Sequence, residues 1–128
     1  MAKLLSGKGL TATTNIGSPP QGMKWIVKWV LLVLHTGSTT GSRSGAIVAG
    51  RANYGINVGT LLAFTGGQTG TDATYYGVGD VTNSAPANFL VEFYAFPEVF
   101  STDVIQLVYS GQNGDTVDYY IMIEEVIA

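Results

Sequence analysis

The stretch Trp25–His35, Trp-Ile-Val-Lys-Trp-Val-Leu-Leu-Val-Leu-His, is the most hydrophobic run of the chain and restricts its fold more than any other feature. Read with a period of two, Trp25, Val27, Trp29, Leu31 and Val33 share one face, while Lys24, Ile26, Lys28, Val30, Leu32 and Leu34 share the other. The first face is apolar throughout; the second opens on two lysines and is apolar from Val30 onward. β-Branched and aromatic residues suit a pleated surface, and a helix would spread Lys24, Trp25, Lys28 and Trp29 over adjoining positions. The run is expected to form a long central strand, wet on one side near Lys24 and buried on both sides toward Leu34. At about ten residues it is half the length of a membrane-spanning helix, so no membrane partner is expected.

The other segments read as shorter strands punctuated by turns. Residues 1–22 carry Gly7, Gly9, Gly17, Pro19, Pro20 and Gly22, with a weak strand at best around Leu10–Thr14, and are expected to form an extended N-terminal arm or edge segment. Strands are expected at Ala46–Asn53, Thr60–Thr65, Ala73–Val81, Phe89–Phe96, Val104–Tyr109 and Val117–Ile127. The Asn113-Gly114 pair between the last two is the strongest hairpin signal of the chain. In the final strand Val117, Tyr119, Ile121, Ile123 and Glu125 share a face. With 128 residues, about eight strands and no helical pattern, the fold class is all-β: a single antiparallel β-sandwich of jelly-roll type over 23–128, preceded by the arm at 1–22.

Charged residues make up only 12% of the chain and glycine supplies 17 residues, so much of the surface is left to small polar and apolar groups, a composition suited to assembly. The charges are also segregated. All six basic residues (Lys3, Lys8, Lys24, Lys28, Arg43, Arg51) precede residue 52, and all nine acids follow residue 71. Two readings compete: pairing between distant strands of one chain, or contact of a basic side with an acidic side between subunits of a homo-oligomer. Six cations in a net acidic chain are too few for a phosphate-tracking surface, so no nucleic-acid partner is expected.

No residue pattern points to catalysis, and the chain is expected not to be an enzyme. With no cysteine, disulfides, thiolate chemistry and cysteine zinc sites are excluded. His35, the single histidine, lies near Ser38, Ser42 and Ser44, with Asp80 or Asp115 available at a distance, but no Gly-x-Ser-x-Gly elbow places a nucleophile. His35 is therefore expected to be a strand-end residue facing solvent or a partner. Glu124 and Glu125 point to opposite faces of one strand and cannot pair as glycosidase carboxylates. The loop acids Asp72, Asp80, Asp103, Asp115 and Asp118 form no calcium-loop pattern, so neither a metal nor a cofactor is expected. The glycine runs at 66–70 and 77–79 lack the lysine of a phosphate loop and read as turns. For sugar stacking, Trp25 and Trp29 are expected in the core. Tyr75, Tyr76, Tyr119 and Tyr120 are the better candidates, because each adjacent pair must turn one ring outward.

A Trp-containing strand ending in His35-Thr36, a Thr/Ser/Gly turn leading to Gly41-Ser42-Arg43-Ser44, a short strand of small residues, a tyrosine-rich middle, and a closing strand carrying Asp115, Asp118-Tyr119-Tyr120 and Glu124-Glu125 together resemble the small jelly-roll virion proteins of tailed bacteriophages, over about residues 23–127. The resemblance implies a virion structural protein: a capsid decoration (cement) or minor head protein, assembled in the host cytoplasm; the opening residues Met1 to Gly9 hold no apolar core long enough for a signal peptide, so none is expected. Such proteins are commonly trimeric and sit on a lattice of major capsid protein, stabilising the shell by passive binding. On that reading Lys3, Lys8, Pro19, Pro20, Lys24, Lys28, Arg43 and Arg51 are the expected oligomer or lattice contacts. The alternative is a carbohydrate- or receptor-binding sandwich of a tail fibre.

Overall fold

The computed structural model describes the backbone of residues 1–37, 39, 41–51, 56–67, 73–78, 89–93 and 98–128, and the side chains of those outside 42 and 51–97. Ten strands are described: β1 (Ala2–Leu10), β2 (Thr14–Gly17), β3 (Met23–His35), β4 (Ser42–Arg51), β5 (Ile56–Gly67), β6 (Ala73–Val78), β7 (Phe89–Phe93), β8 (Glu98–Phe100), β9 (Asp103–Ser110) and β10 (Thr116–Ile127). They form two antiparallel sheets. One runs β1-β10-β3-β6, with β8 beside β6 on the same edge of β3; the other runs β2-β9-β4-β5-β7. The outer pairings nest, β1 with β10, β2 with β9 and β3 with β8, whereas β4 pairs with β5, β6 with β3 and β7 with β5. The all-β class stands, as two sheets facing each other across one core of Trp25, Val27, Val30, Leu32 and Leu34 from β3, Ile47 and Ala49 from β4, Ile105 and Leu107 from β9, and Val117, Ile121 and Ile123 from β10.

The central strand is real, but its faces are not those of a plain alternation. Ile123 of β10 stands opposite Val27 and Met122 opposite Trp29, so Lys28 is one extra residue, a β-bulge. A one-residue shift exchanges the two faces of everything beyond it. Trp25 and Val27 face the core before the bulge, and Val30, Leu32 and Leu34 face it afterwards, the last three fully buried. Trp29 and Leu31 are correspondingly turned to the outer face and only half-buried. Without the bulge, three large apolar side chains would share a face with Lys24 and Lys28. With it, both lysines stay on the outer face and all three enter the core. β10 keeps its unbroken alternation, and the insertion falls in β3.

Three further expectations change in the structure. Residues 1–22 supply an edge strand to each sheet: β1 pairs along β10 from Ala2 to Leu10, and β2 pairs with β9. The weak strand expected around Leu10–Thr14 is instead the end of β1, the gap at 11–13 and the start of β2. The expected strand at Ala46–Asn53 begins earlier, at Ser42. The Asn113-Gly114 turn closes through a hydrogen bond from Asp115 N to Gln112 O at 3.0 Å, yet it joins strands of different sheets rather than a hairpin. Gly114 takes φ +88° while Asn113 keeps a negative φ. That is the type II pattern, not the type I′ pattern that a two-residue hairpin requires.

The bulge is testable by neighbouring truncations. Leu32→Ala should cost about 2–5 kcal/mol of unfolding free energy, and Leu31→Ala less than half as much, measured by urea denaturation; plain alternation through residue 28 would reverse that order.

Candidate functional site

Two places gather chemistry: a buried ion pair at one end of the sandwich and the outer face of the β1-β10-β3 sheet. The first lies where the corner after β3 meets the corner before β10. Arg43, at the start of β4, points into that junction, and both its side chain and that of Asp115 are fully buried. The guanidinium grips the carboxylate in two places, Nε to Oδ2 at 2.5 Å and Nη2 to Oδ1 at 3.2 Å. Each carboxylate oxygen also accepts a backbone N–H, Oδ1 from Gly37 at 2.7 Å and Oδ2 from Gln112 at 2.8 Å. Arg43 donates onward to the carbonyls of Gly41 at 3.2 Å and Thr39 at 2.5 Å. The two corners touch so closely that a Cβ on Gly37 would lie 3.0 Å from the Asn113 carbonyl oxygen and 3.1 Å from the Gly114 carbonyl carbon.

Burial alone would push the Asp115 carboxyl up. The Arg43 hydrogen bond, the two backbone N–H donors and the Arg43 charge outweigh it and hold the carboxyl below its ordinary value. Tyr109 flanks the pair, its hydroxyl buried with no hydrogen-bond partner among the described residues. Burial, and next the Asp115 charge, push its phenol up to about 12, against a smaller pull downward from Arg43. An open cleft of about 310 Å³ runs from Thr11 past Tyr109 to the 111–114 turn.

The cluster of expected contact residues separates in the structure. Lys3 pairs with Glu125 at 2.8 Å, Lys24 with Glu98 at 3.0 Å and Lys28 with Glu124 at 3.2 Å. Lys3, Lys8 and Lys24 also lie about 6 Å over the rings of Trp25, Tyr120 and Phe100. Pro19 is buried; Pro20 is exposed and its carbonyl accepts from Met23 N at 3.0 Å. Arg43, grouped with the surface contacts by sequence, is only 1% exposed. Its charge is spent inside the fold, which takes it out of any surface contact of the folded chain. The Arg51 backbone pairs with Ile56 and Asp103; its side chain lies outside the described residues, as do those of Tyr75 and Tyr76. The segregation of charge along the sequence thus becomes proximity in space for Lys3, Lys24, Lys28 and Arg43, because antiparallel nesting lays early strands against late ones.

Of the remaining tyrosines, Tyr119 faces the core and Tyr120 the outer face, as alternation requires. Burial pushes the Tyr119 phenol up. Glu124 and Glu125 likewise part, one meeting Lys28 and the other Lys3. His35 is 44% exposed at its side chain, with Nε2 3.0 Å from Asp118 Oδ2, and Asp118 Oδ1 accepts from Gly9 N at 2.8 Å. Among the described residues its carboxylate neighbour is Asp118 rather than Asp115; Asp80 lies outside the described residues.

The second place is the outer face itself, which the plain alternation hid. Cross-strand register sets Leu4, Met122 and Trp29 in one row and Ser6, Tyr120 and Leu31 in the next. Leu4 is 50% exposed, and Met122, Trp29, Tyr120 and Leu31 are half-buried. The row is bounded toward the strand ends by the Lys28–Glu124 and His35–Asp118 pairs. The result is an apolar, aromatic stripe with polar pairs at its rim, and exposed apolar area of this kind gains by being covered. Compared with known proteins, the chain matches no family model and no curated sequence.

A stability profile against pH tests the buried junction. Asp115 titrates lower in the folded chain than unfolded, so its contribution is present above about pH 4 and is lost as pH falls through the folded value. Tyr109 titrates higher when folded, so stability also declines as pH rises from about 10 toward the folded value of about 12. Arg43→Met and Asp115→Asn should each cost about 3–5 kcal/mol, because each strands a buried charge or donor, and the double variant should cost less than their sum.

Proposed function

We propose that the protein is a jelly-roll virion structural protein, a decoration or minor head protein that binds an assembled capsid lattice and strengthens it passively. The nested pairing supports the fold part of this reading. β1 with β10, β2 with β9 and β3 with β8 pair first with last, and β10 then meets β3 and β9 meets β4, as in a rolled hairpin, while β6 and β7 pair outside that ladder, with β3 and β5. The sequence resemblance to small jelly-roll virion proteins points the same way.

The observation that carries the functional part is the stripe of Leu4, Trp29, Leu31, Tyr120 and Met122 on a sheet whose outermost strand, β1, has one backbone edge unpaired among the described residues. Such a surface gains by being covered, and a protein that binds only the assembled lattice stabilises it by mass action. A homotrimer seated at a lattice symmetry axis is the expected form. The half-exposed rings of Trp29 and Tyr120 also favour a second reading, a sugar-binding platform on the same face.

Light scattering and co-sedimentation with capsid shells separate the two. Decoration predicts a discrete oligomer that pellets with shells, and Met122→Glu should abolish pelleting while leaving the melting temperature nearly unchanged. A monomer that stays in the supernatant, and whose tryptophan fluorescence responds to a saccharide, would replace decoration with the sugar reading.

A further inference from the structure

The turn between β9 and β10 holds the one Asn-Gly dipeptide of the chain, Asn113-Gly114, and both residues are exposed. We propose that Asn113 is a site of spontaneous covalent modification, in which the Gly114 backbone nitrogen displaces the side-chain amide of Asn113 and water opens the resulting ring to an isoaspartyl or aspartyl residue. The proposal stands apart from the virion reading, since it depends only on this turn and the buried pair beneath it.

Turn chemistry accounts for only half of the dipeptide. Gly114 is demanded by φ +88°, where a side chain would be strained, but Asn113 has a negative φ, so the backbone there does not require asparagine. What the structure leaves at that position is a reactive arrangement. The Asn113 side-chain amide makes no hydrogen bond among the described residues; the bond at this residue, from Thr39 Oγ1 at 3.3 Å, goes to its main-chain carbonyl. The turn is closed by the N–H of the following residue, Asp115, and the Gly114 N–H is itself unbonded among the described residues. Gly114 carries no Cβ to obstruct the approach of its nitrogen to Asn113 Cγ, and a glycine lets the 113–114 peptide rotate into line.

The chemistry balances with water as the sole co-reactant. The Gly114 amide gives its proton to solvent base, its nitrogen bonds to Asn113 Cγ, and the side-chain nitrogen departs as ammonia, leaving a cyclic imide. Water then adds to one of the two imide carbonyls. Addition at the main-chain carbonyl breaks its bond to nitrogen and leaves the chain running through the former side chain, the isoaspartyl product. Addition at the side-chain carbonyl gives ordinary aspartate. No electrons are exchanged.

Either product places a new carboxylate on the turn that carries the buried Asp115. The isoaspartyl product also lengthens the main chain by a methylene at the contact with Gly37. Conversion should therefore loosen the Arg43–Asp115 junction.

The test is to incubate the full-length protein at mildly alkaline pH and physiological temperature, and to follow residue 113 by peptide mass mapping and by isoaspartyl methyltransferase labelling. Isoaspartate should accumulate at 113, faster as pH rises, and be absent from Asn113→Gln; the converted fraction, once separated, should melt at a lower temperature. A free peptide spanning residues 109–117 serves as the reactive control. The proposal is overturned if the peptide converts while the folded protein does not, or if labelling of Asn113→Gln equals that of the unaltered protein.

Discussion

The fold is fastened at one end by a buried charge pair, Arg43 with Asp115. Burying Arg43 and Asp115 is costly on its own, and the cost is offset only because every lone pair of the carboxylate is used: two guanidinium contacts and two backbone N–H groups from separate corners. That requirement makes the pair a specificity device. Gly37 must lie beside the 112–115 turn, Arg43 must enter β4 from the Thr39 and Gly41 carbonyls, and β10 must begin at Thr116 against His35. If any of these slips, a charge or a donor is left buried without a partner. The corner before β10 cannot then close as a hairpin with β9, because Asp115 is held toward β3 and β4.

From that end, β3 and β10 run together for the length of the sheet, and the Lys28 bulge lets two different periodicities share one core. β10 repeats without interruption. β3 carries its apolar residues on one parity up to Val27 and on the other from Val30, and the extra residue absorbs the mismatch. The consequence extends to the surface, since the bulge turns Trp29 and Leu31 outward. Beside Met122, Tyr120 and Leu4 they form the apolar stripe on which the proposed contact with a lattice rests. The apolar stripe and the core are therefore set by the same inserted residue.

Much of this was legible from residues alone, and what was not has physical reasons. The Trp25–His35 run and the Val117–Ile127 alternation announce two long strands, because a half-buried strand must alternate and a buried one must be apolar throughout. The bulge is invisible to such reading, as a period of two holds on either side of residue 28 and only the pairing partner shows the break. β1 and β2 are quiet in sequence because an edge strand is held mostly by backbone bonds to one neighbour; of β1, only Leu5 and Leu10 reach the core. The Arg43–Asp115 pair spans 72 residues, and nothing local to Arg43 sets it apart from the surface cations with which it was grouped. The Asn113-Gly114 signal was a true turn with the wrong connection, since a dipeptide specifies a reversal and the buried pair decides between which sheets it runs.

The most direct test of the buried pair is hydrogen exchange at the Gly37 and Gln112 amides. Both lie in corners between strands, outside either ladder, where amides ordinarily exchange quickly. Donation to a fully buried carboxylate predicts that both are protected to nearly the same degree as core amides such as that of Ile121, and that both lose protection together as pH falls through the Asp115 titration. Exchange at open-loop rates near neutral pH would contradict the pair as the fastening of this fold.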